Sequence, residues 1–353
     1  MDKTIKNSHI GFLDLLNICA CLAVILMHVN GAAYWHFDDS YTWKSGVVLG
    51  VLSTWAVPVF FMITGANLIN YDAKYTTKIY FKKRFYKTVI PFLLWSIVPL
   101  LIWIYRGKLG DHITVYQIVD YIMNAKINET YWFFLPLFSA YLCIPVFTAI
   151  EKTRQKNIFK WLIVYAFVTI TFFPVLARLI HGQMNWNGLL SAPIMGGFLL
   201  YVVMGYLLTH CWVLSFKKRL LIYMAGILGA GMKVYSGIYW SLAEGAINRE
   251  LEGIMDFPCV FLSAAVFVFF QYEIFPITQK REKWQYYITY LSSFSFGVYL
   301  MHMWIVKNLP HDLLVAHFNS VPWRIISTLI VYAVCILLTV IIKKVPGLKR
   351  IIP

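Results

Sequence analysis

The chain has 353 residues, is 60% hydrophobic and 13% charged, and carries a net charge of +15 with a mean hydropathy of +0.66. Repeated apolar runs of about 20 residues, each long enough to cross a hydrocarbon layer as a helix, exclude an ordinary soluble domain. The basic residues sit in short segments between those runs, which is a membrane-topology signal and points to no nucleic-acid partner.

The runs predict an all-α, polytopic membrane helix bundle of about ten spans, one domain over 1–353, because spanning helices satisfy their own backbone groups in lipid. The spans are expected at 10–34, 46–70, 88–105, 131–150, 158–179, 189–209, 219–240, 255–275, 286–306 and 322–342. An even number places both termini on one side, and the distribution of Lys and Arg makes that side cytoplasmic. Lys3 and Lys6, the cluster Lys74 to Lys87, Lys152 to Lys160, Lys217-Lys218-Arg219, Lys280 to Lys283 and Lys343 to Arg350 all fall inside. Asp38, Asp39, Asp111, Asp120, Glu129, Glu244, Glu250, Glu252, Asp256 and Asp312 fall outside or near the outer ends. The basic C-terminal end is expected to rest on anionic headgroups.

The first span carries Asp14, Asn17 and His28 within an otherwise apolar run. At about 100° per residue, Asn17 and His28 lie within roughly 20° of each other, and Asp14 within roughly 40° of His28. The stripe is about 21 Å long at 1.5 Å per residue. Polar groups in a membrane helix face a bundle interior or a wet cavity, so this stripe reads as one wall of a site. His28, in the outer half of its span, is the candidate general base or transient acyl acceptor. A histidine bonded to a neighbouring helix is the competing reading.

In the second span, Pro58 and Gly65 are expected to loosen the helix and free backbone groups for a cavity, with Asn67 following. Lys82-Lys83-Arg84-Phe-Tyr-Lys87 opens the third span from inside. Topology accounts for most of this cluster, and capture of a phosphorylated ligand is the functional reading. The outer loop from Arg106 to Thr130 is expected to hold a short surface helix around Ile113, Gln117, Ile118, Tyr121 and Ile122. Asn128-Glu129-Thr130 fits a glycosylation sequon. Tyr131-Trp132-Phe133-Phe134-Leu135-Pro136 is either an aromatic belt or a stacking surface for a sugar. His302, at the end of Ser295-Phe-Gly297-Val-Tyr299-Leu-Met-His302, is predicted at a depth similar to His28. Lys233, Glu244 and Lys307 are further candidates, with snorkelling from the outer ends of their spans as the competing reading. The six cysteines read as small hydrophobes with no zinc-like spacing, and no metal site is expected. Gly226, Gly229 and Gly231 fit packing within one bundle or between two, which leaves a homodimer open.

Taken together and in order, several stretches resemble the acyltransferase-3 family of integral membrane acyltransferases. They are the Leu-Asp14 opening with His28, Val57-Pro58-Val-Phe60-Phe61-Met-Ile-Thr64-Gly65, Arg84-Phe-Tyr-Lys87 leading to Pro91, Trp132-Phe133-Phe134-Leu135-Pro136, Gly205-Tyr206-Leu207-Leu208, and Ser295 to His302. The resemblance covers nearly the whole chain and is nearest to compact members that O-acetylate surface glycans. It implies transfer of an acyl group from cytoplasmic acyl-CoA, acetyl-CoA above all, to a hydroxyl of a glycan or glycolipid, in a bacterial cytoplasmic membrane and with no permanently bound cofactor. His28 and Asp14 would then be catalytic. Asn17, Lys83, Arg84 and Lys87 would bind the donor, and Asn67, Trp132 and His302 the acceptor. Two positions depart from the family pattern: Asn17 stands where it has Arg or Lys, and Lys87 where it has Arg. A transporter or flippase, or an uptake or sensing module without the chemistry, is the alternative on the same fold.

Overall fold

The computed structural model describes residues 11–109, 113–180, 184–190, 195–280, 282–308, 320–348 and 351–352. Lys3, Lys6, Asp111, Arg281, Asp312, Lys349 and Arg350 lie outside the described residues. All regular structure among the described residues is helical. In chain order the helices are α1 (Gly11–Val29), α2 (Gly31–Tyr34), α3 (Tyr41–Val51), α4 (Ala56–Leu68), α5 (Thr77–Arg84), α6 (Ile90–Tyr105), α7 (Val115–Met123), α8 (Phe134–Thr148) and α9 (Lys152–Ala166). There follow α10 (Phe173–Leu179), α11 (Leu199–Tyr206), α12 (Phe216–Tyr235), α13 (Ser241–Glu244), α14 (Phe257–Phe269), α15 (Phe275–Gln279), α16 (Glu282–Ser292), α17 (Ser295–Asn308) and α18 (Val321–Lys344).

Eight helical segments among the described residues are long and apolar enough to cross a membrane. They coincide with eight of the expected spans. The other two differ for physical reasons. The apolar helix Leu199–Cys211 is too short to be counted with them. The span expected at 286–306 breaks at Ser293 and Phe294 into α16, of 11 residues, and α17, of 14, so neither piece alone matches a bilayer's thickness.

α1 is the hub of the bundle and packs on α3, α4, α15, α16, α17 and α18. Its apolar residues are buried on several faces, from Phe12 and Leu16 to Val24, Ile25 and Val29. A helix hydrophobic nearly all round belongs inside a bundle. The second predicted span is interrupted between α3 and α4. There the hydroxyls of Ser53 and Thr54 donate to the carbonyls of Leu49 and Val51 at 2.8 Å, and the Trp55 indole donates to Leu52 O at 2.8 Å. Pro58 lies in the first turn of α4, where its missing N–H leaves no ladder bond broken, so it starts a helix and does not kink one. π-helical turns at Phe85–Val89, Phe167–Phe172, Leu207–Cys211, Ser236–Trp240 and Phe270–Ile274 widen other spans.

The glycines of α12 act within the chain. A β-carbon at Gly226 would lie 2.3 Å from Ala265 Cβ, and one at Gly229 would lie 2.5 Å from Pro258 O, both on α14. Gly231 has nothing within 4 Å.

Two loop expectations resolve differently. The loop between Arg106 and Thr130 does contain a short helix, α7, opened by a capping box between Thr114 and Gln117. The sequon, however, is buried. Asn128 is 3% exposed, and its Oδ1 accepts from the backbone N–H and hydroxyl of Thr130 at 3.1 and 2.8 Å. Asn128 is a turn residue, inaccessible to glycosylation.

Candidate active site

The polar stripe of α1 faces α16 and α17 along its whole length. The Thr289 hydroxyl donates to Asp14 Oδ2 at 2.7 Å, and Asn17 Nδ2 donates to Ser292 Oγ at 3.0 Å. Cys21 Sγ donates to Ser295 O at 3.7 Å. The rings of His28 and His302 have centroids 5.3 Å apart. The partners in each pair are 274 or 275 positions apart in sequence. The two elements therefore run parallel, in one register, for about four turns. The Asp14 and Asn17 part of the stripe is engaged in pairing helices, and its His28 end opens onto a cavity.

That cavity has a volume of about 450 Å³, a size that suits a small ligand. His28, Tyr34, Trp35, Glu129, Asn248 and Glu252 line it. Its walls are tied together by buried polar side chains. Asn30, the residue that follows α1, donates to Gly46 O at 2.7 Å. Arg324 is fully buried and donates to Asn30 Oδ1 and to Ser45 Oγ, each at 2.7 Å, which joins α1, α3 and α18. Lys233 of α12 also lines the cavity. It does not snorkel: it is 3% exposed and donates to Leu251 O at 2.8 Å and Glu252 O at 2.9 Å. Those two bonds fix the loop that carries Asn248 and Glu252. The Tyr34 hydroxyl donates to Glu252 Oε1 at 2.9 Å, and the Arg249 guanidinium lies 4.7 Å over the Trp35 ring.

His302 is fully buried. Its Nδ1 lies 2.7 Å from Tyr299 O. Only a protonated nitrogen bonds a carbonyl oxygen, so Nδ1 carries the hydrogen and Nε2 the lone pair. Nε2 has no hydrogen-bond partner among the described residues. α17 is clamped by the aromatic stretch: Tyr131 OH donates to Leu300 O at 2.9 Å, the Trp304 indole donates to Tyr131 OH at 3.1 Å, and Tyr299 OH donates to Thr130 O. Phe133 and Phe134 pack edge-on or tilted against Tyr299. Most of this stretch is thus core that positions His302. Trp132 alone is substantially exposed, at 38%, with its ring 5.8 Å from Phe198.

The remaining candidates lie elsewhere. Trp132, Asn67 and His302 are not among the residues that line the cavity. Asn67 is exposed, roughly 16 Å down α4 from its first residue, away from the cavity-lining Thr54. Lys83 and Lys87 are exposed, and Arg84 is half-buried. The Lys83 ammonium sits 3.9 Å over the Tyr75 ring, and the Arg84 guanidinium 5.5 Å from the Tyr141 ring centre. Arg84 Nε is buried with no partner among the described residues. Lys87 rides on the π-helical turn that follows α5.

Asn30, Tyr34, Asn248, Glu252 and Arg324 went unnoticed as site-builders in the sequence. The available signals were the dense polar run Asn248-Arg-Glu-Leu-Glu252 between two apolar spans and a lone Arg four residues into the last one.

An imidazole lining a cavity bordered by carboxylates, an amide and aromatic rings has, in its neutral form, the chemistry to bind a polar ligand and take a proton from its hydroxyl. No curated protein and no solved structure matches the chain. A family model described as an acyltransferase domain matches residues 10–340, and the chain accordingly belongs to the acyltransferase-3 family of membrane acyltransferases.

Proposed function

We propose that the protein is an O-acyltransferase that moves an acyl group, acetyl in the first instance, from cytoplasmic acyl-CoA to a hydroxyl of a cell-surface glycan or glycolipid. The observation that carries this reading is the position of His28, alone among the residues assigned to catalysis, donor or acceptor in opening onto the 450 Å³ cavity. The cavity's Glu129, Asn248, Glu252 and Trp35 supply the hydrogen-bonding and aromatic surface that a sugar needs. The donor's phosphates dock on Lys83, Arg84 and Lys87, and its extended pantetheine arm, on the order of 15–20 Å at about 1.2 Å per bond, reaches toward His28. His28 deprotonates the acceptor hydroxyl. Asp14 and Asn17 act at the inner end through Thr289 and Ser292. Their engagement there favours a single outer-end site over the continuous polar path of a transporter.

The test uses purified protein in lipid nanodiscs with radiolabelled acetyl-CoA and a glycan and lipid-linked glycan extract. Label is expected in a base-labile ester, and His28→Ala is expected to lower its rate by about 100-fold or more. A folded His28→Ala protein that transfers at the normal rate overturns the assignment.

A further inference from the structure

We propose that His302 is a positioning residue for His28: its Nε2 accepts the N–H of His28 that points away from the cavity, fixing one tautomer and steadying the imidazolium when it forms. The inference rests on the acyl-transfer reading above and deepens it.

Three observations meet at this pair. First, the His302 tautomer is set by its own helix, since Nδ1–H is held by Tyr299 O at 2.7 Å. Nε2 is therefore an acceptor and nothing else. Second, that acceptor is buried and has no partner among the described residues. A buried acceptor without a donor is costly, and an apolar ring of similar shape would fill the space without that cost. Third, the nearest ring is His28, at a centroid separation of 5.3 Å and a tilt of 41°. An imidazole nitrogen lies about 1.2 Å from its ring centre by covalent geometry. Facing nitrogens at this separation are then about 3 Å apart, the length of a hydrogen bond. The bond is not made in the structure as it stands, and making it calls for a turn of the His28 ring about χ2.

Among the described residues, no carboxylate is hydrogen-bonded to His28. Glu129, the acid beside His28, is paired with Lys307 at 3.2 Å. Asp14 is about 21 Å away along α1 and is bonded to Thr289.

The proton balance is simple. The acceptor's O–H breaks and its proton goes to the cavity-facing nitrogen of His28. The oxygen bonds to the carbonyl carbon of the acyl thioester, the C–S bond breaks, and the thiolate recovers that proton from the same nitrogen. The other N–H of His28 stays in place and donates to His302 Nε2 throughout.

The experiment compares wild type, His302→Phe and His302→Gln in nanodiscs by two readouts. The first is the nitrogen-15 spectrum of His28, identified by its loss in His28→Gln. The second is the kinetics of acyl transfer. Wild type and His302→Gln, which keeps an acceptor oxygen, are expected to show one His28 tautomer, and His302→Phe a mixture. His302→Phe is expected to lose about 10- to 100-fold in kcat with KM within about twofold, and His302→Gln to regain most of that loss. An unchanged His28 spectrum in His302→Phe, a loss confined to KM, or a Gln variant as impaired as Phe overturns the proposal. Absence of transfer by wild type would overturn the acyl-transfer reading alone. The spectrum then decides the pairing by itself, a released tautomer in His302→Phe upholding it and an unchanged one overturning it.

Discussion

Gly65 of α4 and Gly205 of α11 hold two helices together backbone against backbone. A β-carbon at Gly65 would lie 1.8 Å from Val202 O, and one at Gly205 would lie 2.1 Å from Met62 O. Small residues permit this approach in a membrane, where packing takes the place of the hydrophobic effect. Gly65→Ala or Gly205→Ala must push the helices apart, at a cost of about 1–3 kcal/mol if it resembles ordinary overpacking. Thermal unfolding in detergent should show a clear drop for either variant. Gly231→Ala, with open space around it, should leave the midpoint unchanged or slightly raised. Equal behaviour of all three would refute the close crossing.

Lys233 should prove to be a strut for the cavity loop. Lys233→Met keeps the length of the side chain and removes the donors from Leu251 O and Glu252 O. Buried carbonyls left without donors cost about 1–3 kcal/mol each, enough to loosen a loop without unfolding a bundle. Hydrogen exchange is expected to speed up in residues 246–255 and to stay unchanged in α14. A uniform rise across the bundle would instead mean that Lys233 supports the whole fold.

At the opposite end, donor affinity should depend on Arg84 and Lys87. Calorimetry with acetyl-CoA should give micromolar binding for wild type and at least about a tenfold loss for Arg84→Ala with Lys87→Ala, since each removes a charge-assisted contact to phosphate. The wild-type affinity should fall with added salt. Lys83→Ala should matter less, because its ammonium is already engaged over the Tyr75 ring. Unaltered binding by the double variant would move the donor site elsewhere.

Asn17 and Ser292 should be energetically coupled. Their hydrogen bond links α1 to α16, and such bonds inside membrane bundles average about 0.6 kcal/mol. A double-mutant cycle with Asn17→Leu and Ser292→Ala, read by unfolding, should return a coupling near that value. Additive losses would show that the pair contributes nothing jointly.

Much of the fold was legible because apolar run length and Lys/Arg bias report directly on spanning helices, and eight of the expected segments are present. The broken α16–α17 element was not legible: Ser293 and Phe294 interrupt the helix without Pro or Gly, the usual punctuation. Helical periodicity correctly grouped Asp14, Asn17 and His28. It did not say what they face, because period alone cannot separate a cavity wall from a polar helix contact. His28 and His302 were expected at similar depth and do meet. The cavity's other walls come from loops and short helices around Asn30, Tyr34, Asn248 and Glu252, where no periodic signal exists. Arg324 stands alone in the last apolar run, where no pattern marks it, and is buried in hydrogen bonds.

The parallel register of α1 with α16 and α17 also has a consequence for biogenesis. α1 leaves the ribosome well before α16 and α17, and the groups that meet Asp14, Asn17 and His28 are encoded 274 or 275 residues later. At about 5–20 residues per second, that is an interval of roughly 15–55 s. Throughout it, the nascent α1 must hold three polar side chains without these partners, sheltered by the insertion machinery or by neighbours that later give way. The central joint of the bundle is therefore among the last to close. A chain truncated before Thr289 would leave the membrane with an unfinished helix that quality control is well placed to detect.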